Sequence, residues 1–102
     1  MGIYVALKNE TGQELASVAD ANSLLHSLLP EPYTDSISAL GGIDWYGNTV
    51  FNRGQMKRFI DEWDVLAAGT SDPEQKSLLA SVRTLAIRCQ RDFHLYLWFI
   101  GD

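Results

Sequence analysis

The strongest constraint on the fold is the helical spacing of apolar residues in the second half of the chain. In residues 54–67 apolar side chains recur every three or four positions, and charged side chains fill the positions between them. Residues 73–92 repeat this pattern and begin with Pro73 and Glu74, which are typical of a first helical turn. We therefore predict two amphipathic helices, each of which must bury its apolar face against another layer.

Strands are predicted at both ends of the chain. Apolar and other residues alternate over residues 3–8, turn-forming residues follow at 9–12, and residues 13–18 can return as the second strand of a hairpin. Residues 49–51 form a third short strand. Residues 94–100 could continue the preceding helix, but their aromatic and β-favouring content favours a strand. Because its apolar residues would fill both faces, we expect this strand to lie centrally, beside the first.

The remaining segments complete a single α+β domain over residues 1–102. Asp20 or Asn22 can cap a short helix over residues 22–29, on which we expect His26 to be exposed. Residues 30–48 are predicted to form a long surface loop, with room for one helical turn over 36–40. We expect a small, mostly antiparallel sheet of about four strands packed with three helices. The predicted core comprises Val5, Leu7, Phe59, Ile60, Trp63, Leu78, Val82, Leu85, Leu97 and Phe99, with Phe93 as a further candidate.

Charge is distributed unevenly along the chain. The net charge is −5, and residues 1–52 account for all of it with six acidic residues and one basic residue. An acidic half repels a phosphate backbone, which argues against direct nucleic-acid binding, and it attracts a basic protein. A solvated acidic surface that serves only solubility explains the same charge equally well.

The sequence favours a soluble cytoplasmic protein that does not enter membranes. Its first residues lack the charged region and cleavage site of a signal peptide, and no apolar run is long enough to span a bilayer. A single cysteine cannot form an internal disulfide bond.

Residue types that support catalysis are present, but they do not form a recognisable pattern. Two histidines and one cysteine are too few and too far apart to predict a metal site. Cys89 lies on the apolar side of a predicted helix, which indicates a core residue, and His94 has no evident partner. We therefore expect a protein without catalytic activity or cofactor. The alternative is a small hydrolase or nuclease that uses Asp44, His94 or Cys89.

The segment 43–52 is the most promising binding element. It combines Asp44, Trp45, Tyr46 and Asn48 with a third aromatic residue, Phe51, and such compositions are typical of protein-binding hot spots. A purely structural role would fold the two aromatic residues onto the core and use Asp44 to hold a turn. For Trp45 both interpretations stand.

Two blocks of the sequence resemble a known class of proteins. They are residues 44–52 with Gln55 and Met56, and residues 89–102, together with the start at Gly2. These blocks are similar to small bacterial proteins, some of which act as immunity proteins of contact-dependent growth inhibition and related polymorphic toxin systems. The resemblance implies a cytoplasmic, non-enzymatic inhibitor that binds a cognate toxin domain, often a basic nuclease, and covers its active site.

The charge pattern and the resemblance lead to one binding hypothesis. A basic toxin nuclease would dock on the acidic first half, on a surface centred on Glu31, Asp35, Asp44, Tyr46 and Asn48. A non-catalytic regulatory or scaffold subunit without a toxin partner remains the other alternative to an enzyme.

Overall fold

The fold is α+β, as predicted. The computed structural model describes residues 2–20, 22–32 and 38–101. Within these residues four strands and three helices form one domain. The strands are β1 (Tyr4–Asn9), β2 (Glu14–Ala19), β3 (Asn48–Phe51) and β4 (Leu95–Ile100), and the helices are α1 (Leu24–Leu28), α2 (Met56–Ala68) and α3 (Pro73–Arg91).

The strands form one antiparallel sheet in the order β2-β1-β4-β3. Strand β4 is central, which confirms the assignment of residues 94–100 to a strand beside the first one. In the register, Tyr4 lies opposite both Ala19 and Ile100, and Asn48 lies on the other side of Ile100. Strands β2 and β3 are therefore the two edges of the sheet.

Local side-chain chemistry determines where these elements begin and turn. In the β1–β2 hairpin the Asn9 side chain accepts hydrogen bonds from the backbone N–H groups of Thr11 and Gln13, both at 3.0 Å. Gly12 has a φ of 87°, which glycine adopts without strain. Helix α3 starts as its sequence predicts, because Asp72 accepts a hydrogen bond from the N–H of Gln75 and Pro73 occupies the first turn.

The hydrophobic core lies between the helices and one face of the sheet. An aromatic cluster forms its centre, where the rings of Phe59 and Trp63 stack at 5.2 Å and Phe51 contacts Phe59 at 5.1 Å. Nine of the ten predicted core residues are buried, and Leu78 is partly buried against them. Phe93 is 70% exposed, so its assignment to the core is wrong. It lies in the turn that follows α3, beyond the last residue of the buried face.

For the segment 38–43, the prediction of a surface loop is wrong. It contains a turn of 3-10 helix over Leu40–Gly42, and the side chains of Leu40 and Ile43 are buried. The carboxylate of Glu62 on α2 accepts hydrogen bonds from the N–H groups of Ala39 and Leu40, at 2.9 and 3.1 Å. Glu62 therefore fixes this segment to the domain, although it is one of the charged residues between the apolar positions of the helical pattern in residues 54–67.

Candidate protein-binding surface

The loop between Ile43 and β3 is held in shape by Asp44. Its N–H donates to the hydroxyl of Thr49 at 2.9 Å, and its carboxylate accepts the N–H of Tyr46 at 2.9 Å. This is the turn-forming role considered for Asp44 from the sequence. A Cβ atom on Gly47 would lie 2.8 Å from the same carboxylate, so a side chain there would have to displace the Asp44 carboxylate. The N–H of Gly101 donates to the carbonyl of Gly47, which joins the loop to the end of β4.

The two aromatic residues of this loop point in different directions. Trp45 is partly buried against the core, and its ring lies 5.1 Å from that of His26 on α1 in an edge-on arrangement. His26 is therefore not fully exposed, in contrast to the expectation. Tyr46 is 76% exposed, so the interpretation that it folds onto the core is wrong. The loop thus presents one aromatic side chain to solvent on a backbone that several hydrogen bonds hold in place.

Beside this loop lies an apolar surface on the side of the sheet that faces away from the helices. Leu97 and Phe99 are fully buried, so the alternate residues of β4 point the other way. Residues of β1 and β3 lie opposite these outward-pointing residues of β4 in the register. We call this surface the open sheet face; it consists of Tyr4, Val50, Tyr96, Trp98 and Ile100, which are partly or largely exposed.

The open sheet face adjoins the predicted site and was not found from the sequence. Asn48 is exposed, and it lies on this face because it alternates with the inward-pointing Thr49 and Phe51. The Lys8 ammonium group lies 4.4 Å from the ring centre of Trp98. In the sequence, apolar residues on both sides of β4 indicate this surface, but they predicted only that the strand is central. Exposed patches of this kind mark interaction sites more often than scattered apolar residues do.

The acidic residues of the first half do not gather on one surface. Asp20 is 5% exposed, and its carboxylate accepts hydrogen bonds from the N–H groups of Leu24 and Leu25 at the start of α1. Glu10 and Glu14 lie at the hairpin end of the sheet, whereas Asp44 lies at the opposite end, next to Gly47 and Gly101. Within the described residues, the charge asymmetry along the chain therefore does not produce one acidic surface.

Of the five predicted binding residues, the structure brings three together. Asp44, Tyr46 and Asn48 lie in and next to the same loop, although the Asp44 carboxylate is engaged in holding the turn. Glu31 is exposed and follows α1, whose His26 contacts Trp45. Asp35 lies outside the described residues.

Two of the three residues of the catalytic alternative lie at opposite ends of the sheet, and the third is buried. Asp44 is at the end of the sheet where β4 finishes, and His94 is at the end where β4 begins, a separation of about 17 Å at the usual rise per residue. His94 pairs instead with Glu10, with 3.4 Å between Nδ1 and a carboxylate oxygen. Cys89 is fully buried, and burial raises the pKa of its thiol to about 11. Within residues 2–20, 22–32 and 38–101, no group of acidic, histidine and cysteine side chains is arranged to hold a metal ion.

None of the helices in the described part of the chain is both long and apolar enough to cross a membrane. Comparisons of the chain with models of protein families, with curated proteins and with solved structures find no significant match.

Proposed function

We propose that this protein is an immunity protein that binds and neutralises a cognate bacterial toxin domain, a basic nuclease, in the cytoplasm. The observation that carries the proposal is an exposed aromatic side chain on a hydrogen-bonded loop beside an apolar sheet face. Tyr46 is 76% exposed, while its backbone N–H is bound by Asp44. Preorganised aromatic anchors supply much of the affinity of protein interfaces because little flexibility is lost on binding.

The charge of the protein supports a basic partner. The chain carries a net charge of −5, and Glu31, which follows α1, is one of its exposed acidic residues. A basic nuclease would be attracted over a distance, which raises the association rate, and the apolar contacts would then slow its dissociation. In this proposal the bound protein covers the active site of the nuclease and excludes its nucleic-acid substrate, without any catalysis of its own.

Substitution of Tyr46 tests the binding surface. The partner is captured from the native host with the intact protein and is then purified for kinetic measurements by surface plasmon resonance. Tyr46→Ala should raise the dissociation rate by at least about thirtyfold, which corresponds to about 2 kcal/mol for a hot-spot residue. Phe93→Ala is the matched control, because Phe93 is a comparably exposed aromatic residue at the other end of β4. It should leave the rate unchanged.

The same complex tests the function. The captured partner should cleave nucleic acid, and addition of an equimolar amount of this protein should abolish the cleavage. A partner without toxic or nuclease activity would contradict the proposal and would favour the regulatory or scaffold subunit. Equal effects of the Tyr46 and Phe93 substitutions would contradict the assignment of the surface alone.

A further inference from the structure

Strand β2 forms an open edge of the sheet. Its residues Glu14–Ala19 pair with β1 on one side, and within the described part of the chain no backbone group bonds to their other side. Natural edge strands are usually protected by charged residues, prolines or covering segments. From residue 15 to residue 19 this strand has no charged residue and no proline, and Leu15 is 37% exposed. The edge is therefore available for pairing with another strand.

A seam runs between this edge strand and α3. One concavity of about 620 Å³ is lined by Ala16 of β2 and by side chains of α3 that include Leu85 and Arg88. A second, of about 400 Å³, is lined by Val18 and Ala19 of β2, by residues of α3 that include Glu74, and by residues from the segment 20–24 at the start of α1. The two concavities follow one another along β2, so an additional strand beside β2 would have space for its side chains above α3.

The end of the seam beside Ala16 carries excess positive charge. Arg88 and Arg91 both line the larger concavity, and they share the single carboxylate of Asp92 at 3.8 and 3.3 Å. Arg83, on the same concavity, is paired with Asp64 at 2.6 Å. Among the residues that the structure describes, these three arginines and two aspartates leave one positive charge of this end without a counterpart, on a protein whose net charge is −5. Guanidinium groups at the rim of an apolar groove suit a carboxylate on the ligand.

We propose that the seam between β2 and α3 binds an extended, acidic segment of another protein, which adds a fifth strand to the sheet at β2. Backbone hydrogen bonds to β2 give the segment its affinity, and alternate side chains enter the concavities. An acidic side chain of the segment binds Arg88 and Arg91 at the Ala16 end. This site is separate from the surface proposed for the toxin and does not depend on that proposal.

A second copy of this chain fits the seam less well. In a symmetric antiparallel pair of β2 strands, the arginine end of each copy would lie opposite the Ala19 end of the other. The acidic residues at that end already have partners within the copy, because Glu74 accepts a hydrogen bond from the Asn22 side chain at 2.6 Å and Asp20 binds the N–H groups of Leu24 and Leu25. An acidic segment instead neutralises the excess charge.

A displayed library of random ten-residue peptides, selected on the full chain, tests the proposal. The selected peptides should alternate apolar or β-branched residues and carry at least one Asp or Glu. In fluorescence anisotropy with the best synthetic peptide, the double variant Arg88→Glu with Arg91→Glu should lose at least tenfold in affinity. Lys57→Glu with Lys76→Glu makes the same change in net charge at exposed residues that do not line the seam and should bind as the wild type does.

Hydrogen exchange measured by NMR shows where the peptide binds. Backbone amides within residues 14–19 should become protected when the peptide is added. The proposal is overturned if no peptide is selected, if the selected peptides are basic, or if the arginine variants bind equally well. It is also overturned if sedimentation shows that the free protein is a dimer that Leu15→Lys dissociates, because the seam would then bind a second copy.

Discussion

Two tryptophans show how differently the same side chain is accommodated in this domain. Trp63 is fully buried and donates its indole N–H to the carbonyl of Leu79 at 2.9 Å. The indole N–H of Trp45 is also buried, but within the described residues it has no acceptor. Most buried donors in folded proteins find an acceptor, and one that does not costs about 1–3 kcal/mol. At Trp45 the packing of the ring against the core therefore stabilises the fold, whereas the buried, unpaired N–H destabilises it.

Replacement of each tryptophan by phenylalanine should separate these contributions. Trp63→Phe removes a hydrogen bond and core volume together, so it should lower the free energy of unfolding by about 2 kcal/mol or more. Trp45→Phe removes an unpaired donor along with part of the packing. The two effects offset, and we expect the free energy of unfolding to stay within about 1 kcal/mol of the wild type. Urea denaturation measures both values, and equal losses would show that the Trp45 N–H is satisfied in solution.

Among the elements, the short helix α1 depends most on a single side chain. It has five residues, too few to be stable alone, and its preceding residue Ser23 offers no side-chain cap. The two carboxylate oxygens of Asp20 instead accept the N–H groups of Leu24 and Leu25, at 2.8 and 2.7 Å. Hydrogen bonds to a charged acceptor are stronger than neutral ones, and these are shielded from water.

Removal of the Asp20 carboxylate should therefore cost more than removal of an exposed cap. We expect Asp20→Ala to lower the free energy of unfolding by about 2 kcal/mol, at the upper end of measured capping effects. Asp72→Ala is the control, because Asp72 is exposed and makes one capping bond, of 3.0 Å, at the start of α3. It should cost about 1 kcal/mol. A smaller loss at Asp20 than at Asp72, measured by urea denaturation, would contradict the role of the buried cap.

At the scale of elements, the sequence predicted what local patterns encode. Periodicity, turn residues and caps placed every helix and strand within about two residues, because each of these signals acts over a few neighbouring positions. The surfaces were harder to predict. Apolar residues on both sides of β4 showed that the strand is central, but not that one side of it lacks a covering layer. That depends on how many helices are available and on which face they pack, which is decided by contacts distant in sequence.

The same limit applies to the charges. The sequence showed that residues 1–52 hold the net charge, but folding gave the acids different roles and positions. Asp20 became a buried cap, Asp44 holds a turn, and Glu10 and Glu14 lie at the far end of the sheet. A run of acids along the chain does not specify a surface, because antiparallel strands carry neighbouring segments to opposite ends of the sheet.

For the whole molecule, the open question is whether net charge or local charge attracts the proposed basic partner. The hairpin end and the loop end of the sheet lie about 17 Å apart at the usual rise per residue. Electrostatic screening acts over about 8 Å at an ionic strength of 0.15 M and over about 30 Å at 0.01 M. At the higher ionic strength, a partner that docks at the loop end responds little to charges at the hairpin end, whereas at the lower one it responds to both.

Two double variants with the same change in net charge distinguish these cases. Glu31→Lys with Asp35→Lys alters the predicted binding surface, and Glu10→Lys with Asp92→Lys alters the hairpin end, where β4 begins. At 0.15 M we expect the first pair to slow association severalfold and the second pair to leave it nearly unchanged, since screening removes the distant charges. At 0.01 M both pairs should slow association, because the electrostatic field of the protein is screened less and distant charges then also act on the partner. Stopped-flow association rates with the purified partner provide the measurement. Equal slowing by both pairs at 0.15 M would contradict docking at the loop end. In that case Tyr46→Ala should also leave the dissociation rate unchanged.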